Sequence, residues 1–193
     1  IDLKKRVFKE LDELTRPEVI LATNTSSLSI TEIATATKRP GKVVGMHFFN
    51  PVPLMRLVEV IKGLETSDET VKVTWELAEK LGKVPVLVKK DTPGFIVNRI
   101  MIPQLMEAIR IYEEGIASME DIDKAVKLGL NYPMGPFELM DLTGLDIAYF
   151  VNEYFGRELP KELKHVTPHL LKAKVKANKL GRKTGEGWYK YSK

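Results

Sequence analysis

The sequence contains no cysteine. That excludes a disulfide framework, a thiolate metal site and a cysteine nucleophile, and it fits a reducing compartment, with the cytoplasm as the expectation. There is no H-E-x-x-H, no Cys or His cluster and no G-x-S-x-G, so metal chemistry and nucleophilic-serine hydrolysis lack support, and no metal is expected. Glycine-rich phosphate loops are missing too. Gly185 and Gly187 supply only the first half of a G-x-G-x-x-G, and Lys190 stands where the third glycine would be. Long apolar runs are absent: Val86 to Val88 and Phe95 to Val97 fall far short of the roughly 20 residues of a bilayer span, so no membrane is expected. The charge excess is small. With 30 basic against 26 acidic residues the net charge is +4, too mild to argue for nucleic acid, and no clustered aromatic platform compensates.

What remains is an ordinary globular composition, 44% hydrophobic and 29% charged, on a length that suits one or two domains. The chain opens on Ile1, and the residues after it lack the apolar core of a signal peptide, so the start is expected to be a cut. Ten of the lysines and arginines lie between Lys161 and Lys193 against two glutamates, which concentrates the basic excess in the last sixth. A phosphate-bearing ligand, an acidic partner or a solvated helix face would each account for it.

Two patterns divide the chain. Residues 1–90 alternate between helical and strand periods, and residues 91–193 read as successive helices. Val7, Leu11 and Leu14 form a helical stripe that Pro17 closes, and Val19 to Ala22 is a short strand. Ser29 and Glu32 have capping-box spacing, which predicts a helix over Ile30 to Thr37. Val43 to Phe49 and Leu57 to Ile61 are strands joined by a bend at Pro51-Val52-Pro53. Asp68 to Leu81 is a helix stopped by Gly82, and Val84 to Val88 is a strand. This β-α-β-β-α-β order belongs to an α/β layer. Asp91-Thr92-Pro93 carries helix-opening signals, which predict a long helix from Pro93 to Glu114. Further helices are expected after Ser118, over Phe137 to Leu142 and over Lys161 to Lys179, with Trp188 and Tyr189 anchoring the C-terminus.

His47 lies inside the apolar run Val43 to Phe49, where an imidazolium is costly unless an anion is near. Glu59 lies in the middle of the equally apolar Leu57 to Ile61. On consecutive strands joined by a tight bend the two can meet side by side, and a histidine held by a carboxylate is an oriented general base. The spacing equally permits a core histidine and a glutamate on the solvent side. Ser26 and Ser27 follow a strand at the end of the sheet where α/β folds bind ligands, or are merely turn and cap residues, the reading favoured for Ser27. Asn50 directly follows the His47 strand. Asn98 sits in a helix otherwise rich in Ile, Met and Leu, where it is either exposed or retained for hydrogen bonding.

Five blocks then occur together: Asn24-Thr25-Ser26-Ser27-Leu28; His47-Phe48-Phe49-Asn50-Pro51 with Glu59; Asp91-Thr92-Pro93-Gly94-Phe95-Ile96-Val97-Asn98-Arg99; Tyr132-Pro133-Met134-Gly135-Pro136-Phe137-Glu138; and Lys183-Thr184-Gly185-Glu186-Gly187. As a set, over essentially the whole chain, they closely resemble the NAD-dependent L-3-hydroxyacyl-CoA dehydrogenases, including the 3-hydroxybutyryl-CoA dehydrogenases. The resemblance implies the C-terminal part of an NAD-binding Rossmann domain over residues 1–90, then an all-α domain over residues 91–193 that serves the substrate and a homodimer. It implies oxidation of (S)-3-hydroxyacyl-CoA to 3-oxoacyl-CoA, with His47 as base and Glu59 orienting it. It places Ser26 and Asn98 on the substrate and Lys4, Ser26, Asn50 and Lys183 on NAD. The glycine-rich turn of such a domain is expected upstream of Ile1. Its absence from these residues opens an alternative, a non-catalytic module for dimerisation or acyl-CoA binding.

Overall fold

Helix α1 (Asp2–Leu14) turns Phe8 inward. The carbonyls at and just beyond its C-terminal end are collected by one side chain: the Arg39 guanidinium donates to the carbonyls of Asp12, Thr15 and Arg16, and its Nε to Asp12 Oδ1 at 2.6 Å. A cation is well placed there, because the end of a helix leaves carbonyls unpaired and carries partial negative charge. β1 (Leu21–Thr23), α2 (Ile30–Ala34), β2 (Val43–Phe48), β3 (Leu57–Lys62), α3 (Asp68–Lys80) and β4 (Val84–Val88) follow. Ser29 and Ser67 cap α2 and α3, accepting from Glu32 N and Thr70 N. Most bounds fall within two residues of those read from the pattern. α2 is three residues shorter than expected, and a 3-10 turn at Pro40–Lys42 leads into β2.

The strands form one mixed sheet in the order β1-β2-β3-β4. β1 runs parallel to β2, β2 antiparallel to β3, and β3 parallel to β4. Both faces are covered. Val43 and Ile61 pack with Leu21, Ile30, Ile33 and Phe8, so α1 and α2 lie on one face. Val44, Met46, Val58 and Val60 pack with Ala78 of α3 on the other. Gly45 permits the first contact: a Cβ there would lie 2.8 Å from Ile30 Cδ1.

The structure describes residues 1–192, in which two compact units separate after Asn98. The second unit is helical: α4 (Val97–Glu113, its first two residues in the first unit), α5 (Met119–Gly129), α6 (Pro136–Thr143), α7 (Leu145–Glu158) and α8 (His169–Lys176). Two expectations need correction. The long helix begins at Val97, not Pro93, because Gly94 and Phe95 take φ values of 76° and 52°, outside the right-handed helical region. It is therefore about 25 Å long. The basic helix expected over residues 161–179 is a 3-10 turn at Lys161–Leu163 and the eight residues of α8. Pro168 stands between them, its ring unable to continue a helix begun before it.

The core of the second unit gathers Ile102, Met106, Ile109, Phe137, Met140, Leu145, Phe155, Leu171 and Trp188. Two buried carboxylates fix its C-terminal segment. Asp141 accepts from Trp188 N, Tyr189 N and the Tyr191 hydroxyl at 2.8 to 2.9 Å; Asp123 accepts from Phe137 N, Glu138 N and the Tyr189 hydroxyl. Trp188 is indeed an anchor, 5% exposed and edge-to-face with Phe137 at 4.9 Å. Burial pushes the Asp123 carboxyl up, against the donors that stabilise its anion. Among the described residues no helix is long and apolar enough to cross a membrane.

Candidate active site

The antiparallel pairing of β2 with β3 sets His47 directly opposite Glu59. Opposed residues share a face and stand about 5 Å apart at Cβ, within reach of each other's side chains. That face is the one covered by α1 and α2, so both are buried, His47 at 3% exposure and Glu59 at 0%. His47 Nδ1 lies 2.7 Å from Glu59 Oε2. Glu59 Oε1 accepts from Ile96 N and Val97 N, both at 3.0 Å. Three N–H donors thus meet one carboxylate, which offsets its desolvation and keeps it an acceptor. With only acceptor capacity facing it, Nδ1 carries the proton, a tautomer assigned from this network.

The second ring nitrogen is then free to accept. His47 Nε2 lies 3.1 Å from Ser26 Oγ. Ser26 is exposed, three residues beyond the carboxyl end of β1, and the segment is held to the sheet by Asn24, whose Oδ1 accepts from Phe48 N at 3.1 Å. The imidazole sits between two aromatic rings, Phe49 at 4.5 Å between centroids and Phe95 edge-on at 5.6 Å. Asn98, in the first turn of α4, donates from Nδ2 to the Ser26 carbonyl at 3.2 Å. Ser26, His47, Glu59 and Asn98 are therefore one connected constellation: a buried base, its orienting anion, a serine at the second ring nitrogen, and an asparagine on that serine's carbonyl.

The remaining expected residues have other partners. Lys4 Nζ lies 3.2 Å from Thr23 Oγ1 and 3.4 Å from the Asn24 carbonyl, at the carboxyl end of β1. Asn50 is exposed beyond the end of β2 and precedes a cis peptide to Pro51. Lys183 belongs to the second unit, where its ammonium pairs with Asp146 at 2.5 and 2.7 Å. Among the described residues no group of three or more His, Asp or Glu side chains is arranged to hold a metal.

Several site residues escape the sequence pattern. Asp91, expected to open α4, caps another helix: its Oδ2 accepts from Ser29 Oγ at 2.6 Å and from Thr31 N at 2.8 Å, at the start of α2. At the start of α4 the acceptor is instead Glu59, on a strand, which takes Ile96 N and Val97 N. Phe95 holds a left-handed backbone that costs a bulky residue about 1–3 kcal/mol. The Pro93-Gly94 pair is the one local signal of it, since that dipeptide marks turns.

The chain matches two families in succession. Residues 1–92 match 3-hydroxyacyl-CoA dehydrogenase, NAD binding domain, and residues 94–191 match 3-hydroxyacyl-CoA dehydrogenase, C-terminal domain. It is 55% identical to a 3-hydroxybutyryl-CoA dehydrogenase of Clostridioides difficile over 193 residues, all of this chain and 68% of that protein. It is 53% identical over 192 residues to the human mitochondrial hydroxyacyl-coenzyme A dehydrogenase, covering 99% of this chain and 60% of the relative. The crystal structure of the (S)-3-hydroxybutyryl-CoA dehydrogenase PaaH1 from Ralstonia eutropha superposes with a TM-score of 0.95 at 47% identity, over 100% of this chain and 68% of that one. The chain thus spans about two thirds of the length of these relatives, and less of the human one.

Proposed function

Because the chain belongs to the 3-hydroxyacyl-CoA dehydrogenase family, we propose that the natural polypeptide oxidises (S)-3-hydroxyacyl-CoA to 3-oxoacyl-CoA, with His47 as the base that removes the hydroxyl proton. The observation that carries this is the buried Glu59–His47 pair with Ser26 at the other ring nitrogen, 2.7 Å on one side of the ring and 3.1 Å on the other. Bound NAD would supply the acceptor for the hydride that leaves the carbon bearing that hydroxyl.

The chain's own residues do the rest. His47 Nε2 takes the proton, and the imidazolium that forms is stabilised by the adjacent Glu59 carboxylate, which need not itself become protonated. Ser26 Oγ and the Asn98 amide hold the substrate oxygen beside Nε2 and stabilise it as it becomes a carbonyl. Phe49 and Phe95 keep water from the flanks of the ring, which strengthens every polar contact there.

The residues present fit the nicotinamide end of a dinucleotide. Ser26 and Asn50 lie at the carboxyl ends of the parallel pair β1 and β2, where ligands of open α/β sheets bind, and Lys4 Nζ reaches the same end of β1. Lys4, Ser26 and Asn50 are assigned to NAD on that ground, and Lys183 on the family alone. Residues 91–193 are assigned to the substrate and to a homodimer. Exposed apolar side chains on its helices, among them Leu128, Leu142, Ile147 and Phe150, support a partner copy. A location in the cytoplasm and no nucleic-acid partner complete the reading. A non-catalytic module is disfavoured, because a binding role alone has no need of a buried base and its anion.

The test is reduction of NAD by (S)-3-hydroxybutyryl-CoA in the full-length natural polypeptide. Turnover that disappears with the His47→Gln variant is expected; a folded protein that binds acyl-CoA and never reduces NAD would favour the module.

A further inference from the structure

Glu59 is held on one side by backbone, not by side chains. Its Oε1 accepts from Ile96 N and Val97 N, while Oε2 faces His47 Nδ1. Two consecutive amides converge on a single oxygen because of the two residues before them, Gly94 with φ 76° and Phe95 with φ 52°. Pro93 and Gly94 occupy the centre of a turn closed by Phe95 N–H to the Thr92 carbonyl at 3.1 Å, with proline and a positive-φ glycine in the positions a type II turn demands. Phe95 then adds a second left-handed step, which bulky side chains rarely take. Its ring is 3% exposed in the core with Phe8, Leu21, Ile30 and Ile33, and this packing holds the backbone where local preference would not. Asp91 ties down the other end of the loop through Ser29 and Thr31.

The geometry points to Phe95, with Gly94 before it, as a positioning residue for the His47–Glu59 pair: the left-handed step aims two amides at Glu59 Oε1, and the carboxylate so pinned keeps the His47 proton on Nδ1. Without those amides a carboxylate at 0% exposure would retain one donor and would turn toward others. The Oε2–Nδ1 bond would weaken, and the ring could place its proton on Nε2, the atom that must accept. The backbone of Phe95 acts through Glu59, while its ring packs edge-on beside the His47 imidazole at 5.6 Å. The inference rests on His47 as the base, yet the tautomer can be read without turnover.

Nitrogen NMR of labelled histidine in the 193-residue chain reads the His47 tautomer, and kcat and KM are measured in the full-length natural polypeptide. Paired variants separate backbone from packing: Phe95→Val against Phe95→Asn, and Gly94→Val against Gly94→Asn. Asparagine tolerates the left-handed region and β-branched valine does not. Both valine variants are expected to move the proton toward Nε2 and to lower kcat by about tenfold or more with KM for acyl-CoA changed less than about threefold. Both asparagine variants should keep Nδ1–H, and Gly94→Asn, which leaves the Phe95 ring in place, should stay within about threefold of the parent kcat. A packing role alone reverses the order at position 95, where apolar valine would then be the better substitute, and that result overturns the proposal. Should the position-95 variants not fold, the Gly94 pair decides with the Phe95 ring in place, and equal behaviour of its two members overturns it. An inactive parent that shows the expected tautomers would sink the dehydrogenase reading and leave the positioning role standing.

Discussion

Glu59 accepts from His47 Nδ1 on one oxygen and from Ile96 N and Val97 N, just before and at the first residue of α4, on the other, so the carboxylate that orients the imidazole also holds the N-terminal end of a helix. A cap is usually supplied by the residue just before its helix. Here it comes from a strand 37 residues earlier, measured to Ile96. Local structure and acid–base chemistry therefore share one side chain.

Glu59→Gln should reverse the tautomer. The amide oxygen of the glutamine would remain on Ile96 N and Val97 N, which turns its NH2 toward His47 Nδ1. That nitrogen would then have to accept, placing the proton on Nε2 where the base must be bare. Turnover should fall by several orders of magnitude, as wrong-tautomer substitutions do in other imidazole bases. Glu59→Ala should be no worse than Glu59→Gln. A glutamine variant that turns over close to the parent rate would remove the carboxylate from the mechanism.

Ser26→Ala and Asn98→Ala address the oxygen side of the ring. Ser26→Ala removes the hydroxyl at Nε2 and Asn98→Ala the amide on the Ser26 carbonyl, and each should lower kcat by about tenfold to a hundredfold while NADH affinity changes little for Asn98→Ala. Ser26→Ala should weaken cofactor binding as well, since Ser26 is assigned to both ligands. Steady-state kinetics with an NADH titration separate the two, and identical profiles would contradict the division of roles.

Asp141 is the anchor of the second unit. It is buried and accepts three donors from the last segment, so Asp141→Ala would leave Trp188 N, Tyr189 N and the Tyr191 hydroxyl without that acceptor. A loss of about 3 kcal/mol is expected. Urea unfolding followed by tryptophan fluorescence would show it as a lowered midpoint, and an unchanged midpoint would mean the segment is held by packing alone.

Alkaline pH should reach the same contact. Burial first, and then the hydrogen bond to Asp141, push the Tyr191 hydroxyl from 10.0 up to about 12. A group raised on folding contributes stability that is complete below its unfolded value and is lost as pH climbs toward the folded one. Relative to Tyr191→Phe, the parent should therefore lose stability between pH 10 and about 12, so that the gap between them narrows. Thermal melts across that range check it, and parallel curves would contradict the contact.

Where neighbours in sequence are also partners in space, the pattern was readable. Ser29 and Ser67 cap the helices that follow them, Gly82 ends α3 with φ 72°, and two apolar runs joined by a proline bend pair as β2 and β3. The His47–Glu59 contact follows from that pairing once the register is known, and a single-residue slip would have sent Glu59 to the opposite face. Asp91 was misread because its partners, Ser29 and Thr31, lie 62 and 60 residues away. Phe95 was misread because its backbone runs against its own preference, and only the surrounding core holds it there. α8 was overextended since the lysine-rich stretch looks helical in composition while Pro168 interrupts it.

The most direct measurement is turnover of His47→Gln beside its affinity for NADH in the full-length natural polypeptide. Loss of kcat by about three orders of magnitude with NADH affinity within about twofold of the parent is the predicted result. A variant that turns over at the parent rate would show that the buried imidazole is not the base.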